Sequence, residues 1–193
     1  MSTMNTADPN RTRKSRIHLL LIALVFLAPM IAAGVLTFAG WQPGTKGNGQ
    51  PIVPQRNFLD EHLRVVLADG GDYAWRDSEP RMTLVALAGP DCATQCLATL
   101  TAMAKARVML NHKQDRLRLL YLGTPPADAA AREAMSTYWQ TGRDVDGKLD
   151  GYRPATPDSV GALLVESNGT ALSFYPPGFD AAGLLRDMRK VIK

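Results

Sequence analysis

Hydrophobic and polar positions divide the chain into one long apolar block and a series of short ones. From Ile17 to Phe38 no residue is charged, and Leu, Ile, Val, Phe and Ala dominate. A run of roughly 20 apolar residues at about 1.5 Å each spans the hydrocarbon layer of a bilayer, and Trp41 falls where an interfacial aromatic sits. The pattern predicts a transmembrane anchor over 17–41 behind a tail over 1–16. Gln42 to Gln55 is then rich in Gly, Pro, Gln and Asn with almost nothing to bury, which predicts an extended linker over 42–58.

From residue 59 to 193 short apolar runs predict one folded domain. Leu63–Leu67 is a first strand candidate, and Gly70-Gly71-Asp72 a turn. Met82–Leu87, bounded by Pro80 and Gly89-Pro90, has the length of a buried strand. Leu97, Leu100, Ala104 and Val108 then recur at helical spacing, predicting a helix over about Ala93–Leu110 with Asp91 as its N-cap. Leu117–Leu122 is the next strand, followed by an Ala-rich helix over Ala127–Trp139 and a polar loop over Gln140–Pro157. Ala162–Glu166 and Ala171–Tyr175 flank Asn168-Gly169, a strong hairpin signal, and a final amphipathic helix uses Leu184, Leu185, Met188 and Val191. From Met82 the order is strand, helix, strand, helix, hairpin, helix. That order predicts an α/β thioredoxin-like domain, a mixed sheet with flanking helices.

Composition adds little to this picture. A chain of 193 residues, 46% hydrophobic and 21% charged, has room for one ordinary domain plus appendages. Charge says more about orientation. Arg11, Arg13, Lys14 and Arg16 precede the apolar block, whereas Gln42–Pro54 carries only Lys46, so the positive-inside bias puts the N-terminus in the cytoplasm. The expected location is a bacterial inner membrane, single-pass, with the domain periplasmic. A cleaved signal peptide is the rival reading, since Ala32-Ala33-Gly34 resembles a processing site, but the apolar run continues past it and is long for an h-region. The net charge of +4 comes from the tail: from Gln42 onward 18 basic residues face 17 acidic ones. With no basic stripe in the domain, a nucleic-acid partner is not expected.

The candidate chemistry lies in Gly89-Pro90-Asp91-Cys92-Ala93-Thr94-Gln95-Cys96, which holds both cysteines of the chain at a predicted strand–helix junction. Amide groups and the helix dipole favour an anion there, so a cysteine thiolate is available for disulfide exchange or metal binding, with Asp91 opposing part of that effect. A purely structural disulfide and two buried unpaired cysteines are the bland alternatives. No Ser/His/Asp set, paired-carboxylate signature or zinc spacing accompanies the pair. Tyr73, Trp75, Tyr138 and Trp139 read as core or its margin, and Pro157 is a candidate for the cis-proline that thioredoxin-like folds set opposite the cysteines. Asn168-Gly169-Thr170 reads as a turn rather than a glycosylation site.

The tract Met82–Cys96, followed by Asp158-Ser159-Val160 and Leu164-Val165-Glu166-Ser167-Asn168-Gly169, resembles the Sco/SenC family of membrane-anchored copper chaperones. The basic tail, the anchor and Gly40-Trp41-Gln42-Pro43-Gly44 also resemble small membrane proteins that accompany proteobacterial haem–copper oxidase genes. The resemblance implies copper as the metal, Cys92 and Cys96 as Cu(I) ligands, and a cytochrome c oxidase subunit or another thiol or copper protein as the partner. It also places Asp158 where the family has its metal-binding histidine, and a hard carboxylate substitutes poorly for imidazole. His112 lies sixteen residues beyond Cys96, about 24 Å along a continuous helix. The expected function is that of an assembly factor for the oxidase copper site, acting through the redox pair Cys92 and Cys96 by disulfide exchange or Cu(I) handling. The alternatives are a general membrane-anchored thiol–disulfide oxidoreductase and a binding module with a structural disulfide.

Overall fold

A computed structural model describes residues 9–38, 47–76 and 78–192. The chain divides into two units, Met1–Thr45 and Lys46–Lys193. The first contributes one helix, α1 (Pro9–Phe38), with Pro29 inside it. The expected crossing runs on to Trp41, which lies outside the described residues, as do the first eight residues of the tail. Among the described residues no helix is long and apolar enough to cross a membrane.

The second unit is built on a seven-stranded mixed sheet. Its strands are β1 (Gln50–Asn57), β2 (Val65–Leu67), β3 (Met82–Ala88), β4 (Leu117–Leu122), β5 (Gln140–Asp144), β6 (Val160–Val165) and β7 (Thr170–Tyr175), and they lie in the order β1-β7-β6-β3-β4-β5-β2. β3, β4 and β5 run parallel, whereas β6 is antiparallel to both β3 and β7. The helices are α2 (Thr94–Val108), α3 (Ala129–Ser136) and α4 (Ala181–Val191). The βαβ start and the closing hairpin make this a mixed α/β thioredoxin-like fold.

Two corrections concern strands that polar sequence conceals. Gln50–Asn57, expected as linker, is β1, paired antiparallel with β7 from Gln50↔Phe174 to Asn57↔Thr170. Pro51 and Pro54 are tolerated because β1 lies at the sheet edge, where missing N–H donors break no interior ladder, and Ile52 alone supplies a buried apolar side chain. Gln140–Asp144, expected as loop, is β5, held between β4 and β2. The Ala-rich helix is also shorter than expected, because its cap is Asp128, whose carboxylate accepts the Ala131 amide, and it stops at Ser136.

All seven residues of β3 are buried because both faces of the sheet are covered. Met82, Leu84, Ala86 and Ala88 pack in the core shared with Leu100 and Met103 of α2 and Leu184 and Met188 of α4. Val85 and Leu87 face a second core closed by irregular segments rather than helices, through Phe58, Leu63, Tyr73, Trp75 and Leu149. There the Trp75 ring meets Phe58 and Tyr73 edge-on, both at 5.0 Å, and its Nε1–H donates to Leu63 O at 2.8 Å. Trp139 lies in the first core, while Tyr138 is exposed. Each large side chain removed from water contributes about 1.5–3 kcal/mol, so both layers hold β3, and with it the loop that follows, in place.

The N-terminal end of this unit is fastened by Asp187 of α4, which is 7% exposed. Its carboxylate accepts the backbone N–H groups of Asn48 and Gly49 and the Tyr175 hydroxyl, and it pairs with Lys190 at 3.2 Å. Burial pushes the Asp187 carboxyl up, but hydrogen bonds from Asn48, Lys190 and Gly49 outweigh it and hold the group below the usual carboxylate range. The neighbouring Tyr175 phenol is raised by its burial and by the Asp187 charge.

Candidate functional site

β3 ends at Ala88, and the Gly89–Ala93 segment turns the chain into α2. Cys92 and Cys96 close a disulfide across this turn with their Cα atoms 5.1 Å apart, so neither is a free thiol. Their exposures differ. Cys96, on the first turn of α2, is fully buried in the core, whereas Cys92 is only partly buried against it.

The first residue of the helix boundary, Ala93, has no side chain able to cap the exposed amides. The cap comes instead from Asp158, in the loop before β6. Its Oδ1 accepts Ala93 N–H and Cys96 N–H, each at 2.8 Å, and its Oδ2 accepts Gln95 N–H at 2.9 Å. Asp91, the cap expected from sequence, serves one step removed: its Oδ1 accepts the Asp158 backbone N–H at 2.7 Å. That bond steadies Asp158 in the left-handed region, at φ 50°. The amide bonds, from Cys96 and Gln95 foremost, hold the Asp158 carboxyl below the usual carboxylate range.

The rest of the Arg153–Ser159 segment is stitched across the carboxyl ends of β3 and β4. Arg153 donates from Nη1 to Ala88 O and Leu122 O, both at 2.9 Å, and Gly89 N–H donates to Ser159 O at 2.9 Å. Gly89 permits this approach, since a Cβ there would stand 2.4 Å from Thr156 O. The cis peptide among the described residues is Val53–Pro54, so Pro157 does not supply the expected cis-proline. Beyond Pro90, a groove of about 610 Å³ opens between Gly123-Thr124-Pro125 and Arg143. Tyr121, buried in the first core, donates to Thr124 O, and burial pushes its phenol up to about 12.

In the disulfide form these donors do not fit a resident copper centre. The two sulfurs are spent on each other, and both oxygens of Asp158 already accept backbone amides. Among the described residues no group of three or more His, Cys, Asp or Glu side chains gathers to hold a metal. Asp158, placed by the resemblance at the histidine position, is a helix cap here. His62 lies in the turn after β1, and His112 in a short 3₁₀ turn beyond α2.

Residues 82–193 match the family described as transmembrane-like, thioredoxin-like, C-terminal domain. No curated protein matches the sequence. Several solved structures are similar. A thioredoxin-like protein from Aeropyrum pernix is 11% identical, covering 69% of this chain and 92% of its own at a TM-score of 0.49. An SCO1/SenC family lipoprotein from Bacillus anthracis is 15% identical over 76% of this chain and 96% of its own, at 0.46. Arabidopsis thaliana ScoI, determined with copper bound, is 13% identical over 75% and 99%, at 0.47.

Proposed function

The chain belongs to the transmembrane-like, thioredoxin-like C-terminal domain family, and from that premise we propose that it is a membrane-tethered accessory factor whose Cys92–Cys96 pair exchanges disulfides with a copper-site subunit of cytochrome c oxidase. The observation that carries the exchange chemistry is the unequal burial of the two sulfurs at a helix start. A partner thiolate attacks Cys92 Sγ, the Cys92–Cys96 bond breaks, and Cys96 leaves as a thiolate that takes up a proton. The partner's second thiolate then attacks the mixed disulfide and Cys92 leaves, so the partner is oxidised as the pair is reduced. The reverse sequence reduces the partner. The resemblance of Met82–Cys96 and the Asn168-Gly169 hairpin to Sco/SenC proteins supports the oxidase as target. Saturation of Asp158 by amides favours a second reading, a general thiol–disulfide oxidoreductase with no metal partner.

The anchor completes the proposal. The uncharged run from Ile17 and the basic residues before it support a crossing over 17–41 with the domain on the periplasmic side. Tethering raises the concentration of the pair beside membrane targets. Alkaline phosphatase fused to the C-terminus is expected to be active, and a cytoplasmic C-terminus would remove the oxidising compartment on which the proposal rests.

The chemistry is tested in membranes carrying Cys96→Ser. That variant leaves Cys92 to trap its target, so mixed disulfides with the oxidase copper subunit are expected, and none with Cys92→Ser. A wild-type pair reduced only below about −300 mV, with no trapped partner, refutes exchange and leaves a structural disulfide. Titration of the reduced protein with Cu(I), against both serine variants, tells whether the soft thiolates also take the metal as cargo.

A further inference from the structure

The amides at the start of α2 are the groups that would receive the negative charge developing on Cys92 when the disulfide is reduced. In the oxidised protein they are already taken. Asp158 reaches across from the loop before β6 and accepts Ala93, Gln95 and Cys96 N–H at 2.8–2.9 Å, leaving neither carboxylate oxygen idle. Its own N–H is held by Asp91 Oδ1 at 2.7 Å, which brings a second carboxylate to the same corner. Gly89 N–H and Arg153 lock the flanking residues of that loop to β3 and β4.

We infer that Asp158 is a positioning residue for the redox reaction: its carboxylate occupies the anion site of the α2 N-terminus, stabilises the disulfide over the dithiol, and makes the pair a donor of electrons rather than an oxidant. The inference rests on the exchange-active reading of Cys92 and Cys96. Reduction adds two electrons and two protons to the pair, and any negative charge left on sulfur then faces a carboxylate instead of free amides. Removing the charge at residue 158 while keeping an acceptor for those amides therefore favours the reduced form. Asn does this in large part: its Oδ1 can still accept Ala93 and Cys96 N–H as a cap, and only the Gln95 N–H loses its acceptor.

The test uses the full chain in detergent, equilibrated with reduced and oxidised glutathione. Asp158→Asn is expected to shift the equilibrium towards the dithiol by about tenfold, which for a two-electron couple is about 30 mV upward. A purely structural cap predicts something else: oxidised and reduced forms lose thermal stability equally, and the potential stays where it was. Melting both redox forms of Asp158→Asn and Asp158→Ala separates the two, because only a charge effect moves the difference between the forms. Exchange by wild type with an unchanged potential in Asp158→Asn overturns the inference and spares the exchange reading. Failure of both proteins to exchange with glutathione removes that reading and the inference with it.

Discussion

Replacing Asp187 by Ala is expected to cost the Lys46–Lys193 domain about 2–5 kcal/mol. The substitution strands the buried Gly49 N–H and the buried Tyr175 hydroxyl, each at about 1–3 kcal/mol when no partner replaces the carboxylate. Asn48 adds less, because it is exposed and water can serve its donors. Against a typical total of about 5–15 kcal/mol, such a loss is a large fraction of the stability. In urea, with a slope of about 1–3 kcal/mol per molar, the midpoint falls by about 1–3 M at unchanged slope. Asp187→Asn keeps one acceptor and falls by less. The pH dependence gives an independent check. The folded carboxyl titrates below its unfolded value of about 4, so its contribution is complete above that value and is lost as pH falls through the folded one. Wild type should therefore lose stability on acidification more steeply than Asp187→Asn, while both are flat near neutrality. A midpoint shift below about 0.3 M for Asp187→Ala, at these slopes, would refute the reasoning.

Other substitutions probe the site and the second core. Gly89→Ala places a methyl 2.4 Å from Thr156 O, so it should cost about 1–3 kcal/mol by overpacking and disturb the Asp158 cap, seen as a lower melting temperature and an altered glutathione equilibrium. Leu149→Ala, in the segment between β5 and β6, should cost about 2–5 kcal/mol, a core-sized loss, because Leu149 is fully buried against the second face of the sheet. A calorimetric loss under about 0.5 kcal/mol, the scale of surface changes, would return that segment to a solvated connection.

The parts of the fold legible in the sequence are those whose signal is local. The apolar run of β3, the helical spacing of α2, the strand β4, the Asn168-Gly169 turn, where Gly169 has φ 88°, and the stripe of α4 all depend on neighbours within a few residues. β1 and β5 escaped because pairing with strands distant in sequence, not composition, makes them strands: in β1, at the sheet edge, Pro51 and Pro54 are harmless where no interior ladder needs their N–H groups, and Gln140–Asp144 gains its pairing from β4 and β2. The cysteine pair was visible as spacing at a strand–helix junction. Its governing carboxylate was not. Asp91 is the nearer cap in sequence, and only the fold brings Asp158, 62 residues beyond Cys96, onto the helix start. An aspartate just before an apolar strand carries no sign of a left-handed backbone or of three amide partners.

The attachment of Asn48 and Gly49 to Asp187 sets the load path of the domain. Any pull arriving along the chain from its N-terminal side reaches these bonds before the first ladder bond of β1, and it is passed to α4, as a clamp on a cable passes strain to the housing rather than to the contacts within. β3 lies three strands in from β1, but α4 packs on α2 in the first core, so a load taken up by α4 is shared with the helix that carries Cys96. The clamp thus spares the β1 ladder and hands the pull to the helix layer that packs against Cys96.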